Sequence, residues 1–144
     1  MLTIVAGSRN ARERDVLYAL SQCSWRDQIS SVISGKAHGA DTYGEKYAEA
    51  HGIDVIKFPA EWDIYGLSAG PRRNKEMAEN ADALIAVWDG NSRGTKSMIH
   101  YAQHYELRTM IYYYKENTIE YPVHKKTVIQ PDLFSKSSNY YAFI

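Results

Sequence analysis

The chain has 144 residues, 17 basic and 17 acidic side chains that cancel to a formal net charge of +0, and one cysteine, Cys23. This length suits a single compact domain that buries about two-thirds of its unfolded surface. The charge balance removes the global positive field that draws proteins to nucleic acid, and one cysteine excludes an intrachain disulfide framework or a cysteine metal site.

The N-terminal stretch MLTIVAGSRN lacks the basic and long apolar parts of a signal peptide. No apolar run nears the ~20 residues that cross a membrane. A cytoplasmic protein with no membrane contact is expected.

Leu2 to Ala6 (LTIVA) is a short apolar run closed by Gly7-Ser8-Arg9, which predicts a buried strand and a tight turn. Asn10 to Glu13 has the form of a capping box, and Val16, Leu17 and Leu20 give the following helix an apolar stripe. Ile29 to Ser34 is a second strand, and Gly35 to Asp41 is its loop into a helix. Thr42 to Glu45 reads as another capping box, and His51-Gly52 ends that helix at a glycine cap. Ile53 to Phe58 is a third strand.

Pro59 to Gly70 has no sustained period and reads as a loop over the sheet edge, and Pro71 suits the first position of the next helix. Leu84 to Val87 is the central strand, halted at Trp88-Asp89-Gly90. A polar loop then enters a helix near Gly94 or Thr95, with Met98, Ile99, Ala102 and Tyr105 at helical spacing. Arg108 to Tyr113 is the fifth strand.

This alternation predicts an α/β, Rossmann-like fold: a mostly parallel sheet of about five strands with helices on both faces, plus a C-terminal extension. Residues 1–114 would form the domain. Residues 115–144, with short strands at Thr118 to Tyr121 and Lys126 to Ile129, would pack on the same domain or on a partner subunit. Twelve tyrosines, several between Tyr101 and Tyr121 and at Tyr140-Tyr141, suit interfaces, so a homo-oligomer is expected.

The loops after strands one, two and four emerge at the carboxyl edge, where such sheets bind ligands. In the first, Gly7, Ser8 and Arg9 offer amide, hydroxyl and guanidinium donors suited to phosphate or carboxylate, or form an ordinary turn. In the second, Ser34, Gly35 and Gly39 are small enough for close approach, while Asp41 could bind a ribose hydroxyl or simply favour a helix start; His38 reads as a loop residue.

Arg72 and Arg73, followed by Asn74, place cations at a helix start against the dipole, which suggests a compensating anion or two solvated arginines. The strongest local signal is Asp89, Gly90, Ser92, Gly94, Thr95 and Lys96, either a phosphate cradle or a helix cap. The Walker spacing, His-Glu-x-x-His, Gly-x-Ser-x-Gly and Gly-x-Gly-x-x-Gly are absent, so no metal and no cofactor is expected.

Taken together, VAGSR, SGKAHGAD, FPAEW, AGPRRNKEMAENADALIAVWDG and NSRGTKSMI resemble the YspA or cpYpsA-related branch of the SLOG superfamily, from about Leu2 to Tyr113. The resemblance implies a Rossmann-like domain that senses or processes nucleotide-derived ligands. The superfamily includes LOG-type phosphoribohydrolases, whose Arg-x-x-Glu-Met and Pro-Gly-Gly-x-Gly-Thr-x-x-Glu stretches are thought to cleave an N-glycosidic bond. Arg73 falls on the arginine, Glu76-Met77 follow it, and Gly94-Thr95 fall on the Gly-Thr, but the glutamate position is Met98.

The resulting expectation is capture of a nucleotide or nucleotide-derived small molecule, sensed or sequestered. The alternative is an N-glycoside hydrolase acting on a nucleoside monophosphate or ADP-ribose-type ligand, with Arg73 retained and the acid supplied by Asp41, Glu61, Asp63, Glu76 or Asp89. A third reading, single-stranded DNA binding of the DprA kind, is disfavoured by the neutral charge.

Overall fold

The computed structural model describes residues 1–123. Strands β1 (Leu2–Gly7), β2 (Ser31–Ser34), β3 (Asp54–Lys57), β4 (Ala83–Trp88), β5 (Arg108–Tyr113) and β6 (Thr118–Glu120) form one sheet in the order β3-β2-β1-β4-β5-β6. The first five are parallel, and β6 is antiparallel to β5. Helices α1 (Glu13–Gln22), α2 (Ala40–Ala50), α3 (Trp62–Tyr65), α4 (Ala69–Glu79) and α5 (Arg93–His104) complete a Rossmann-like α/β fold.

A parallel sheet covered on both faces needs strands that are apolar on both sides. The run ALIAVW of β4 meets that demand, and its first five residues are buried. On one face Val5, Val32, Ile85, Val87 and Met110 share a core with Val16, Ala19 and Leu20 of α1 and Ala48 of α2. On the other, Ile4, Ile33, Leu84, Ala86 and Ile111 share one with Met77 and Ala78 of α4 and Met98, Ile99 and Ala102 of α5.

Strands β1 and β4 are neighbours, in register from Thr3 with Ala83 to Gly7 with Val87. The chain fills one half of the sheet outward from β1 and the other outward from β4. Their shared carboxyl end is therefore the switch point, where diverging loops leave a crevice.

Several local expectations shift. The capping interaction at α1 falls two residues later, where the Arg12 amide donates to Asp15 Oδ2 at 2.9 Å. Helix α2 begins before Thr42, with Gly39 at its N-cap, so the Thr42 to Glu45 box does not form; the Glu45 carboxylate instead accepts from Ser34 Oγ at 2.5 Å and Lys36 Nζ at 3.2 Å.

The stretch from Pro59 to Gly70 is not all loop, since it contains α3, a turn of 3-10 helix at Gly66–Ser68 and the start of α4. Pro71 is consequently the third helical residue. It fits there because every first-turn amide lacks an intrahelical acceptor. Strand β6 covers most of the strand expected at Thr118 to Tyr121 and extends the sheet beyond five strands; Lys126 to Ile129 and Tyr140-Tyr141 lie outside the described residues.

Candidate functional site

A cavity of about 500 Å³ opens at the carboxyl ends of β1 and β4. Its wall takes Gly7 to Asn10 from the turn after β1, Ala37 and Asp41 from the passage into α2, and Trp62 from α3. Helix α4 adds Gly70, Pro71, Arg73, Asn74 and Met77; Asp89, Ser92 to Thr95, Ser97 and Met98 come from the end of β4 and α5. Three helix starts, those of α2, α4 and α5, thus border one space. Each aims the positive end of its helix dipole at that space, although the Ala40 amide is taken by the Ser8 carbonyl, the Ala69 amide by the Gly66 carbonyl, and Pro71 has no N–H.

Ser8 organises the turn. Its amide donates to the Val87 carbonyl at 2.9 Å, while its carbonyl accepts from the Ala11 and Ala40 amides. Its Oγ accepts from the Asp89 amide at 2.9 Å and lies 3.0 Å from Ser92 Oγ. With 2 % exposure, this hydroxyl joins β1 to β4 and α5. Gly7 is required by closeness of approach: a Cβ there would stand 2.1 Å from the Val87 carbonyl oxygen and 2.9 Å from Ala40 Cβ.

Asp89 Oδ1 accepts from the amides of Asn91 and Ser92, at 2.8 Å each, and so shapes the loop into α5. Partial burial pushes its pKa up, but those two amides and the Ser8 and Ser92 hydroxyls outweigh it and hold the carboxyl below its ordinary value. Its charge is committed to the loop. No side chain caps the α5 start at Ser92, which leaves the amides of Arg93, Gly94 and Thr95 at the cavity edge.

Arg73 donates through Nη1 to the Gly35 carbonyl and through Nε to Asn74 Oδ1 at 3.0 Å. Asn74 Nδ2 in turn donates to the Gly94 carbonyl and to Ser97 Oγ, both at 3.2 Å, so one chain of polar contacts links β2, α4 and α5. Burial lowers the Arg73 pKa, and the charge of Asp41 opposes that shift.

Asp41 is 4 % exposed, and its Oδ2 accepts from the Ala37 amide at 3.3 Å. Burial pushes its carboxyl up to about 6, against the pull of the Ala37 amide, the Arg73 charge and the Gly35 amide, while the Glu45 charge adds to the rise. Both groups crowd Gly35. A Cβ at that position would stand 2.6 Å from Arg73 Nη1 and 3.0 Å from Asp41 Oδ2.

Of the residues singled out from sequence, Gly7, Ser8, Arg9, Asp41, Arg73, Asn74, Asp89, Ser92, Gly94 and Thr95 line this cavity. Ser34, Gly35, Gly39, Arg72, Gly90 and Lys96 do not. Ser34 is buried and spends its hydroxyl on Glu45 and the Lys36 amide; Gly35 lies behind Arg73; Gly39, at φ +77°, sits against the Ser8 and Arg9 backbone.

Arg72 turns to Ser68 Oγ at 3.2 Å and stacks over the Tyr65 ring at 4.3 Å, while Gly90, Lys96 and His38 are exposed. Sequence reasoning passed over Ala6, Asn10, Ala37, Trp62, Gly70, Pro71, Met77, Arg93, Ser97 and Met98 as wall residues. A signal existed for Met77 and Met98. They follow Arg73 and Thr95 by four and three residues, one helical turn further along the same face.

Met98 is 1 % exposed, and α5, RGTKSMIHYAQH, has no Asp or Glu, so it brings no carboxylate here. Glu61 and Glu76 line a second cavity of about 290 Å³ that shares Arg73, and Asp63 lines neither. Asp41 and Asp89 are the carboxyls of the main cavity. Among the described residues no three His, Cys, Asp or Glu side chains cluster as metal ligands, and no helix is long and apolar enough to cross a membrane.

The model of the YspA, cpYpsA-related SLOG family matches residues 1–65. That segment runs from β1 to the end of α3 and contributes the Gly7 turn, Asp41 and Trp62 to the cavity. No curated protein and no solved structure matches the chain.

Proposed function

We propose that this chain, which carries the YspA, cpYpsA-related SLOG signature over its first 65 residues, captures a nucleotide or nucleotide-derived molecule in the β1/β4 crevice and leaves it intact. The phosphate is held by the Ser8 and Arg9 turn, the uncapped amides of Arg93 to Thr95 and the Arg73 guanidinium. The ribose lies toward Asp41. The observation that carries this reading is Gly94, which lines the cavity and for which an added Cβ would meet nothing within 4 Å.

Glycine in a helix costs up to about 1 kcal/mol relative to alanine. No protein atom demands one at Gly94, and the helix geometry does not either, since its φ is not positive. The open space beside it lets a ligand reach the backbone, as phosphate groups do at helix starts.

Asp41 supports a second reading, N-glycoside hydrolysis. A buried carboxyl pushed up to about 6 suits a general acid that protonates a leaving base. The absence of a carboxylate at Met98 favours capture, because glycoside cleavage calls for a second carboxylate and Asp89 is held in its loop.

A thermal-shift screen with AMP, ADP-ribose, NAD and cyclic nucleotides, followed by chromatography for free base, separates the two. A ligand at 100 times its Kd should add about 2.7 kcal/mol of stability. A shift with intact ligand supports capture, and released base supports hydrolysis. A panel that shifts nothing contradicts both.

A further inference from the structure

Helix α3 is four residues long, yet Trp62 at its start is 52 % exposed and lines the cavity. Ile64, Tyr65 and Leu67, in and just after that helix, are exposed as well but do not line it, so Trp62 is the large apolar residue of the segment whose surface the crevice shares. An indole left half in water on the wall of a crevice forgoes burial of apolar area.

The neighbouring wall is bare. Gly70 is buried and has no side chain, and a Cβ built there would lie 3.4 Å from Trp62 Cη2, which places the six-membered ring of the indole against the first turn of α4. Pro71, next in that turn, lines the same cavity. Neither residue offers a side-chain hydrogen-bonding group; Thr95 and Ser97 stand on α5, and Arg73, one turn further along α4 from Gly70, turns its Nη1 and Nε to Gly35 and Asn74. The indole and the bare first turn of α4 thus give the crevice an apolar stretch beside its donors.

Resting on the capture reading above, we infer that Trp62 is the base-stacking residue of the site, so that the ligand class is a phosphorylated nucleoside and not a sugar phosphate or inorganic phosphate. Stacking on an aromatic side chain tolerates any base, because every base has a π face. Recognition at this end selects for an aromatic ring and is lenient about which ring.

The test is calorimetric titration of the full chain with AMP, ribose 5-phosphate and inorganic pyrophosphate, for wild type, Trp62→Ala and Trp62→Phe. The expected result is that AMP binds wild type at least about tenfold more tightly than ribose 5-phosphate, the worth of one stacked base. Trp62→Ala should remove that advantage and leave ribose 5-phosphate unchanged, and Trp62→Phe should keep most of it. Because Trp62 is half-exposed, both variants should melt close to wild type.

Equal binding of AMP and ribose 5-phosphate to wild type, or an AMP affinity untouched by Trp62→Ala, overturns the inference while the phosphate site stands. Binding of none of the three, with ADP-ribose, NAD and cyclic nucleotides equally silent, overturns the capture reading itself, and the inference with it.

Discussion

The Arg73 guanidinium reaches across the crevice and donates to the carbonyl of Gly35, 38 residues earlier in the chain. This contact ties α4 to the end of β2 and fixes a cation beside Asp41 at the switch point of the sheet. The pairing gives Arg73 two tasks, one architectural and one electrostatic. Arg73→Lys keeps the charge but cannot reproduce the planar fork that serves Gly35 and Asn74 together. It should lower the melting temperature modestly and weaken nucleotide affinity about tenfold, which roughly halves the shift seen at 100 times the wild-type Kd, and Arg73→Ala should abolish that shift. Thermal scans of both variants with and without the best ligand check this; an unchanged shift in Arg73→Ala would count against the site.

Two glycines should answer oppositely to the same substitution. Gly7→Ala drives a methyl group to 2.1 Å from the Val87 carbonyl oxygen, so it should cost several kcal/mol or prevent folding, on the scale of about 3 kcal/mol or more for severe overpacking. Gly94→Ala meets no protein atom, so it should leave stability equal or raise it by up to about 1 kcal/mol while weakening ligand binding. Urea denaturation and titration of the two variants decide the matter.

Asp41 makes stability depend on pH in a direction opposite to the usual carboxylate. Its folded pKa is raised to about 6 against an unfolded value near 3.9, so the folded state holds the proton more tightly. Its stabilising contribution is full below about pH 4 and is lost as pH rises through about 6. Asp41→Asn, which keeps an acceptor for the Ala37 amide, should remove this dependence. The variant's stability relative to wild type should grow between pH 4 and pH 7 by at most about 3 kcal/mol, measured by denaturation at each pH.

The same titration should reach the ligand. Once ionised, Asp41 sets a negative charge in the wall that Arg73 and the α5 start line, so affinity for a pyrophosphate diester should fall as pH rises through about 6. Asp41→Asn should flatten that profile. Titrations of ADP-ribose from pH 5 to pH 8 read it directly, and parallel profiles for the two proteins would contradict it.

The sheet was legible because long apolar strands admit few alternatives: β5 runs from Arg108 to Tyr113, the bounds read from sequence, and α5 starts one residue before Gly94. The helix starts were less legible: Asn10 to Glu13 fits the capping pattern, whereas Arg12, whose side chain carries no acceptor, does not, yet it is the Arg12 amide that Asp15 bonds in the fold. Helix α3 spans four residues, too few to show a period.

The adjacent arginines illustrate the deeper limit. Sequence reasoning treats Arg72 and Arg73 as two cations at one helix start. In the fold Arg73 is the fifth residue of α4 and donates to the Gly35 carbonyl just after β2, within the field of the Asp41 carboxyl of α2, while Arg72 rests on Tyr65. A partner so far away in the chain leaves no local trace. Trp62 was hidden for the same reason, because its exposure and its neighbour Gly70 are properties of the folded surface.

Amide chemical-shift mapping of the isotope-labelled protein with AMP is the most direct trial of a phosphate site at the β1/β4 crevice. The backbone signals of Ser8, Arg9, Arg93, Gly94 and Thr95 should move together and saturably. Shifts confined to the Glu61 and Glu76 cavity, or to β3 and β6, with those five amides still, would contradict it.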